Sequence, residues 1–171
     1  MNELVSNIID LPFWEKFADL HGFLAMLALL IFGASFVLFS LSAKVNSNVR
    51  MLKAALTALF LNLLLLDIVG LTVYVPYRSL GGPKTILLAS ETTAWLHNIV
   101  FEHKEFLAFA PLILSFTALV VVAKLEDSFG DNEKYEWSRR AVLACLVLSL
   151  IFVLTVAAEA VLVTKAAPVG K

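Results

Sequence analysis

The stretch Gly22–Ala43, GFLAMLALLIFGASFVLFSLSA, contains no charged residue. A helix rises ~1.5 Å per residue, so about 20 apolar residues cross a hydrocarbon layer ~30 Å thick. The stretch therefore reads as a membrane span. Helix is the conformation required of it, because lipid offers no hydrogen-bond partner to an open backbone. The alternation of a membrane-barrel strand is absent. Working outward, three more stretches have the same character. Ala54–Tyr77 carries one charge, Asp67, and Ala141–Thr164 carries one, Glu159. Phe106–Ala123 carries none, and its helix is expected to begin near Glu91. The expected spans are residues 22–43, 54–77, 91–125 and 138–165. The fold expected is an all-α integral membrane protein with four transmembrane helices in an up-down bundle (21–171). An N-terminal interfacial amphipathic segment (1–20) is expected to precede it.

Composition agrees. Of 171 residues, 60% are hydrophobic and 16% charged, against about 45–50% and about 25% in soluble domains. Mean hydropathy is +0.89. The formal charge of -1 recruits no polyanion, so nucleic-acid binding through a basic face is excluded. One cysteine, Cys145, makes neither an internal disulfide nor a CxxCH haem attachment.

The first twenty residues do not form the basic n-region of a secretory signal, since Glu3, Asp10, Glu15 and Asp19 oppose a single Lys16. Leu4, Ile8, Ile9, Leu11, Phe13 and Trp14 supply the apolar side of an interfacial helix. Orientation follows from the basic residues at the helix ends. Lys44, Arg50, Lys53, Lys124, Lys134, Arg139 and Arg140 fall on one side; Lys16, Arg78, Lys84, Lys165 and Lys171 fall on the other. This bias predicts both termini on the non-cytoplasmic side, of the cell membrane if the source is a prokaryote. Gly81-Gly82-Pro83-Lys84 lacks the spacing of a phosphate-binding loop and reads as a turn.

The scarce polar residues within the spans fall toward one face of the membrane. At ~1.5 Å per residue, Glu159 lies roughly 28 Å beyond Arg140, and His103 roughly 32 Å from Lys124. His21 lies roughly 35 Å from Lys44, and Asp67 roughly 21 Å from Lys53. Ionisable groups inside a membrane are costly and are candidates for function. The richest string is Trp95–Glu105, WLHNIVFEHKE. An α-helical advance of ~100° per residue sets Asn98, Glu102 and Glu105 on one face, with His97 and Lys104 on another. The string contains neither a zinc HExxH pair nor the Glu-x-x-His of di-iron bundles. It also reads as a solvated helix end, with His97 about 9 Å beyond His103 and either solvated or a surface metal ligand.

His21 and His103 lie within about one turn of each other in depth, on helices that run the same way. Imidazoles facing across a bundle hold a b-type haem without covalent attachment. The leading expectation is a membrane redox subunit passing electrons within a larger respiratory or oxidoreductase complex. His21 and His103 would bind haem b or a transition metal, with His97 and Glu105 as alternative metal ligands. Asp67, Glu102, Glu105 and Glu159 would form a supporting polar set that tunes the ligands or moves protons. In architecture such a chain resembles small integral-membrane b-type cytochromes. A quinol is a conceivable electron donor, and other membrane subunits are expected partners beside the lipid bilayer. No catalytic arrangement is visible, so the chain is not expected to act as an enzyme in isolation. Two alternatives stand: a cofactor-free accessory subunit of a membrane complex, whose carboxylates bond other chains, and a small proton-coupled transporter using Asp67.

Overall fold

The computed structural model describes residues 13–42, 46–131 and 133–167. Its elements are α1 (Phe13–Leu41), α2 (Asn46–Arg78), a short α3 (Pro83–Leu88), a π-helical segment (Leu96–Phe101) leading into α4 (Glu102–Leu125), a 3-10 turn (Glu126–Gly130) and α5 (Glu136–Ala166). Four helices are long and apolar enough to cross a membrane: Phe13–Leu41, Asn48–Arg78, Leu96–Leu125 and Glu136–Ala166. The chain is an all-α, four-helix membrane bundle, and no strand occurs among the described residues.

Each span has 29 to 31 residues, about 45 Å of helix, against a hydrocarbon layer of ~30 Å. Three spans therefore extend past both edges of the expected hydrophobic stretches, and the first extends past its N-terminal edge, so that helix ends stand at headgroup depth. Phe13–Leu20 is the case in point. These residues form the first turns of α1 itself, continuous with the span instead of a separate surface helix; residues 1–12 of that expected segment lie outside the described residues.

The helices interlock through one stripe apiece. Leu24, Ala28, Phe32 and Ser35 of α1 are buried, as are Leu52, Leu56, Leu59 and Leu63 of α2. Pro111, Ser115, Ala118 and Val122 of α4 face Val142, Leu146, Ser149 and Val153 of α5. Spacings of three and four keep each stripe on one side of its helix, as in a left-handed bundle. Small residues let backbones approach, which is what drives helix association where both surroundings are apolar. Ser149 Oγ donates to the Pro111 carbonyl (3.1 Å), tying α5 to α4 inside the bundle. Only 17% to 28% of each apolar window is buried within the fold, so most of its surface requires lipid.

Helix α1 packs along α2, α2 along α4, and α4 along α5, with α5 returning to α1. Thus α1 and α4 stand diagonally and run in the same direction. One end of the bundle carries the starts of α1 and α4 and the ends of α2 and α5; we call it the terminal end. The other, the loop end, carries the α1–α2 and α4–α5 connections. At the terminal end the chain leaves α2 through Gly81, at φ +76°, and Gly82, where a side chain would run into the Pro76 carbonyl.

Candidate functional site

The in-span polar groups gather at the terminal end, in two connected parts. The deeper part is His21. Its Nδ1–H donates to the Leu66 carbonyl of α2 at 3.2 Å; a carbonyl only accepts, which assigns that proton to Nδ1. The ring lies against Gly70, where an added Cβ would come within 3.1 Å of Cε1. Gly70 is thus the residue that admits the imidazole between α1 and α2. Asn62, one turn below, donates Nδ2–H to the Leu24 carbonyl (3.0 Å) and pins the same two helices.

The shallower part joins α4 to its neighbours. His103 Nδ1–H donates to Glu159 Oε1 of α5 at 2.6 Å, with the histidine ring 55% exposed and the carboxylate 15%. Arg78 at the end of α2 reaches Glu105 Oε2 at 3.4 Å and lies over the Tyr74 ring. Lys104, half-buried, sits over Phe101 with its ammonium 4.7 Å from the ring centre. That ammonium is within electrostatic reach of His21, Glu105 and Glu159, and so links the deep part to the shallow one.

The π-helical turn corrects the reading of the third span. An α-helix was expected from about Glu91, but residues 96–101 form a π-helix and the α-helix proper starts at Glu102. Bonding to i+5 widens the turn, so the ~100° face assignment fails there. Leu96, His97, Val100 and Phe101 turn inward together. His97 is accordingly not at the surface: it is 2% exposed and shares a 3.0 Å hydrogen bond with the Tyr77 hydroxyl. Phe101 stacks on Tyr77 with centroids 3.8 Å apart and planes 6° apart. The inward histidine is possible because Tyr77 supplies the polar partner and Phe101 the apolar cover. The Glu102 side chain is exposed, and its backbone N–H donates to the His97 carbonyl in the π-helical turn.

The sequence-predicted residues therefore divide. His21, His103, Glu105 and Glu159 all belong to the terminal-end cluster, whereas Glu102 is an exposed side chain within electrostatic reach of Tyr74, Tyr77 and His97. Glu105 is engaged by Arg78 and His97 by Tyr77, so these two are held by different partners. Among the described residues no group of three His, Cys, Asp or Glu side chains is gathered as a metal site. Gly70, Asn62 and Tyr77 received no site role from the sequence, and Lys104 was noted there only as sharing a face with His97. Asn62 and Lys104 had a visible signal, being polar in or beside apolar stretches; Gly70 had only its place one turn beyond Asp67.

Three carboxylate oxygens at this end, Asp67 Oδ2, Glu105 Oε1 and Glu159 Oε2, are buried without a hydrogen-bond partner among the described residues. Unsatisfied buried acceptors cost about 1–3 kcal/mol each, more where lipid replaces water. The terminal end thus leaves three buried carboxylate oxygens open beside the Lys104 and Arg78 cations. No protein-family model, curated protein or solved structure matches the chain.

Proposed function

We propose that this chain is an electron-transfer subunit of a membrane complex that holds a b-type haem, or a transition metal, at the terminal end, with His21 and His103 as ligands through Nε2. One observation carries the reading: each imidazole is tied at Nδ1, His21 to the Leu66 carbonyl and His103 to the Glu159 carboxylate. Ligating histidines characteristically donate their other ring N–H to a carbonyl or carboxylate, which sets the tautomer and raises the basicity of the ligating nitrogen. The two histidines also come from the diagonal helices α1 and α4 at the same end of the bundle, and facing helices of a bundle are where such groups are held. When bound, such a group would supply one-electron redox chemistry. The chain's own residues would position it: Gly70 admits the His21 ring, Glu159 orients His103, and Lys104 would offer a cation nearby.

An absorption spectrum with metal analysis of the purified chain tests this. A Soret band, or a stoichiometric transition metal, is expected, and it should be lost in both His21→Ala and His103→Ala. Glu159→Gln should retain the group with a shifted potential. Protein produced with ample haem and metals that shows neither signal overturns the proposal.

A cofactor-free accessory role is the second reading. It is favoured by the pairs Arg78–Glu105, His103–Glu159 and Tyr77–His97, in which each group already bonds a neighbour without any ligand. In that case His103→Ala weakens assembly with partner subunits, seen as a smaller complex on native gels, and changes no spectrum.

A further inference from the structure

The loop end carries a second site, unrelated to the histidines. Arg139 of α5 is only 9% exposed, yet among the described residues no carboxylate lies within ion-pair distance of it. Its guanidinium is held by neutral oxygens instead. Nη1 donates to Ser42 Oγ and to the Phe129 carbonyl, both at 3.0 Å, and Nη2 donates to the Phe39 carbonyl at 3.3 Å. The rings of Phe39 and Phe129 flank it, each with its centroid 4.9 Å away. A guanidinium has five N–H donors in a fixed fork, so Nε and the second hydrogen of Nη2 remain for another acceptor.

Beside Arg139 opens a cavity of about 330 Å³ lined by Phe39, Glu136, Arg139, Arg140 and Leu143. It is a shallow hollow, open on its outer side. The lining carries two guanidinium groups against one carboxylate, and that carboxylate is already engaged, Arg140 Nη2 donating to Glu136 Oε1 at 2.5 Å. Arg139 is the fourth residue of α5, about 5 Å from the helix end, which is headgroup depth for a span of this length. One turn deeper, Leu143 is exposed, and Val147 continues the same exposed line toward the middle of the membrane.

We propose that this cavity binds the headgroup phosphate of an anionic membrane phospholipid, with Arg139 and Arg140 as the phosphate ligands and the acyl chains running over Leu143 and Val147. Charge, depth and the apolar path point to a lipid: basic pockets between helix ends are the ordinary receptors of anionic headgroups, and planar guanidinium groups suit phosphate oxygens.

The test uses the full chain, delipidated in uncharged detergent. The thermal midpoint and native mass spectrum are followed with phosphatidylglycerol, phosphatidylcholine or inorganic phosphate. Phosphatidylglycerol should raise the midpoint and remain bound one to one, whereas the other two should do neither. Because Glu136 and Arg140 are exposed and their replacement spares the core, they give the deciding variants. Arg140→Gln should weaken phosphatidylglycerol about fivefold, as loss of one basic group near a membrane surface does, and Glu136→Gln should tighten it. Equal effects of phosphatidylcholine would overturn the proposal, as would unchanged affinity in both variants. A full shift with inorganic phosphate would reassign the cavity to the free anion.

Discussion

The two ends of the bundle handle buried charge in opposite ways. At the loop end one cation, Arg139, is surrounded by three neutral oxygens and two aromatic rings, and every oxygen it meets is bonded. At the terminal end charges of both signs are shared among α1, α2, α4 and α5, and three carboxylate oxygens stay without a donor. Acceptors that are all bonded hold their donor in place, whereas buried acceptors without a donor are costly to keep. The difference lies in the acceptors: those around Arg139 are all bonded, and three at the terminal end are open.

The sharpest way to break that comparison is Arg139→Ala. It removes three hydrogen bonds from a charged donor and two ring contacts, so a loss of ~3 kcal/mol or more is expected. Chemical or thermal unfolding in detergent would read it. Should the variant unfold like the parent, the loop end is no anchor. Tyr77→Phe at the other end keeps the ring stacked on Phe101 but leaves buried His97 without its hydroxyl partner. About 1–2 kcal/mol is expected from the same measurement. A cost as large as that of Arg139→Ala would erase the distinction between the ends.

Gly70→Ala sharpens the comparison instead. Helix propensity favours alanine by up to about 1 kcal/mol, but the new methyl would press on the His21 ring. Stability should stay within about 1 kcal/mol of the parent, while the His21 imidazole resonances in NMR shift as the ring is displaced from Leu66. Resonances that do not move would remove Gly70 from the site. The smallest effect is expected for Glu126→Gln. Its pairing with Lys53 is long at 3.9 Å, with side chains 71% and 42% exposed, so less than about 0.5 kcal/mol should be lost. A larger loss would mean that exposed ion pairs also hold the loop end together.

Much of the site could be seen along the chain, and the reasons for the failures are specific. His21, His103, Glu105 and Glu159 were legible because a polar residue in an apolar run stands out at a countable depth. His97 was misplaced because the ~100° rule assumes α-helical winding, and the π-helical turn over Leu96–Phe101 departs from it. Arg139 looked like one basic anchor among seven on its side, since nothing adjacent in sequence distinguishes it from Arg140. Yet Arg139 is buried and bonded across the bundle, whereas Arg140 is exposed and pairs within its own helix. Gly70 offered no side chain to notice; its meaning is the space it leaves for a residue on another helix.

By itself, then, the sequence determined the solvent this protein requires, the number and approximate lengths of its spans, and the end at which the scarce charges collect. All of these are sums over neighbouring residues, because hydropathy and helical rise accumulate along the chain. Only the tertiary structure decided which acceptor each donor meets. The decisive bonds join positions 45 apart for His21 and Leu66, 56 apart for His103 and Glu159, and 97 apart for Arg139 and Ser42. Such pairings depend on which helix stands beside which and in what register. They are set by the packing of the Leu, Ala and Ser stripes, and no local stretch of the chain encodes them.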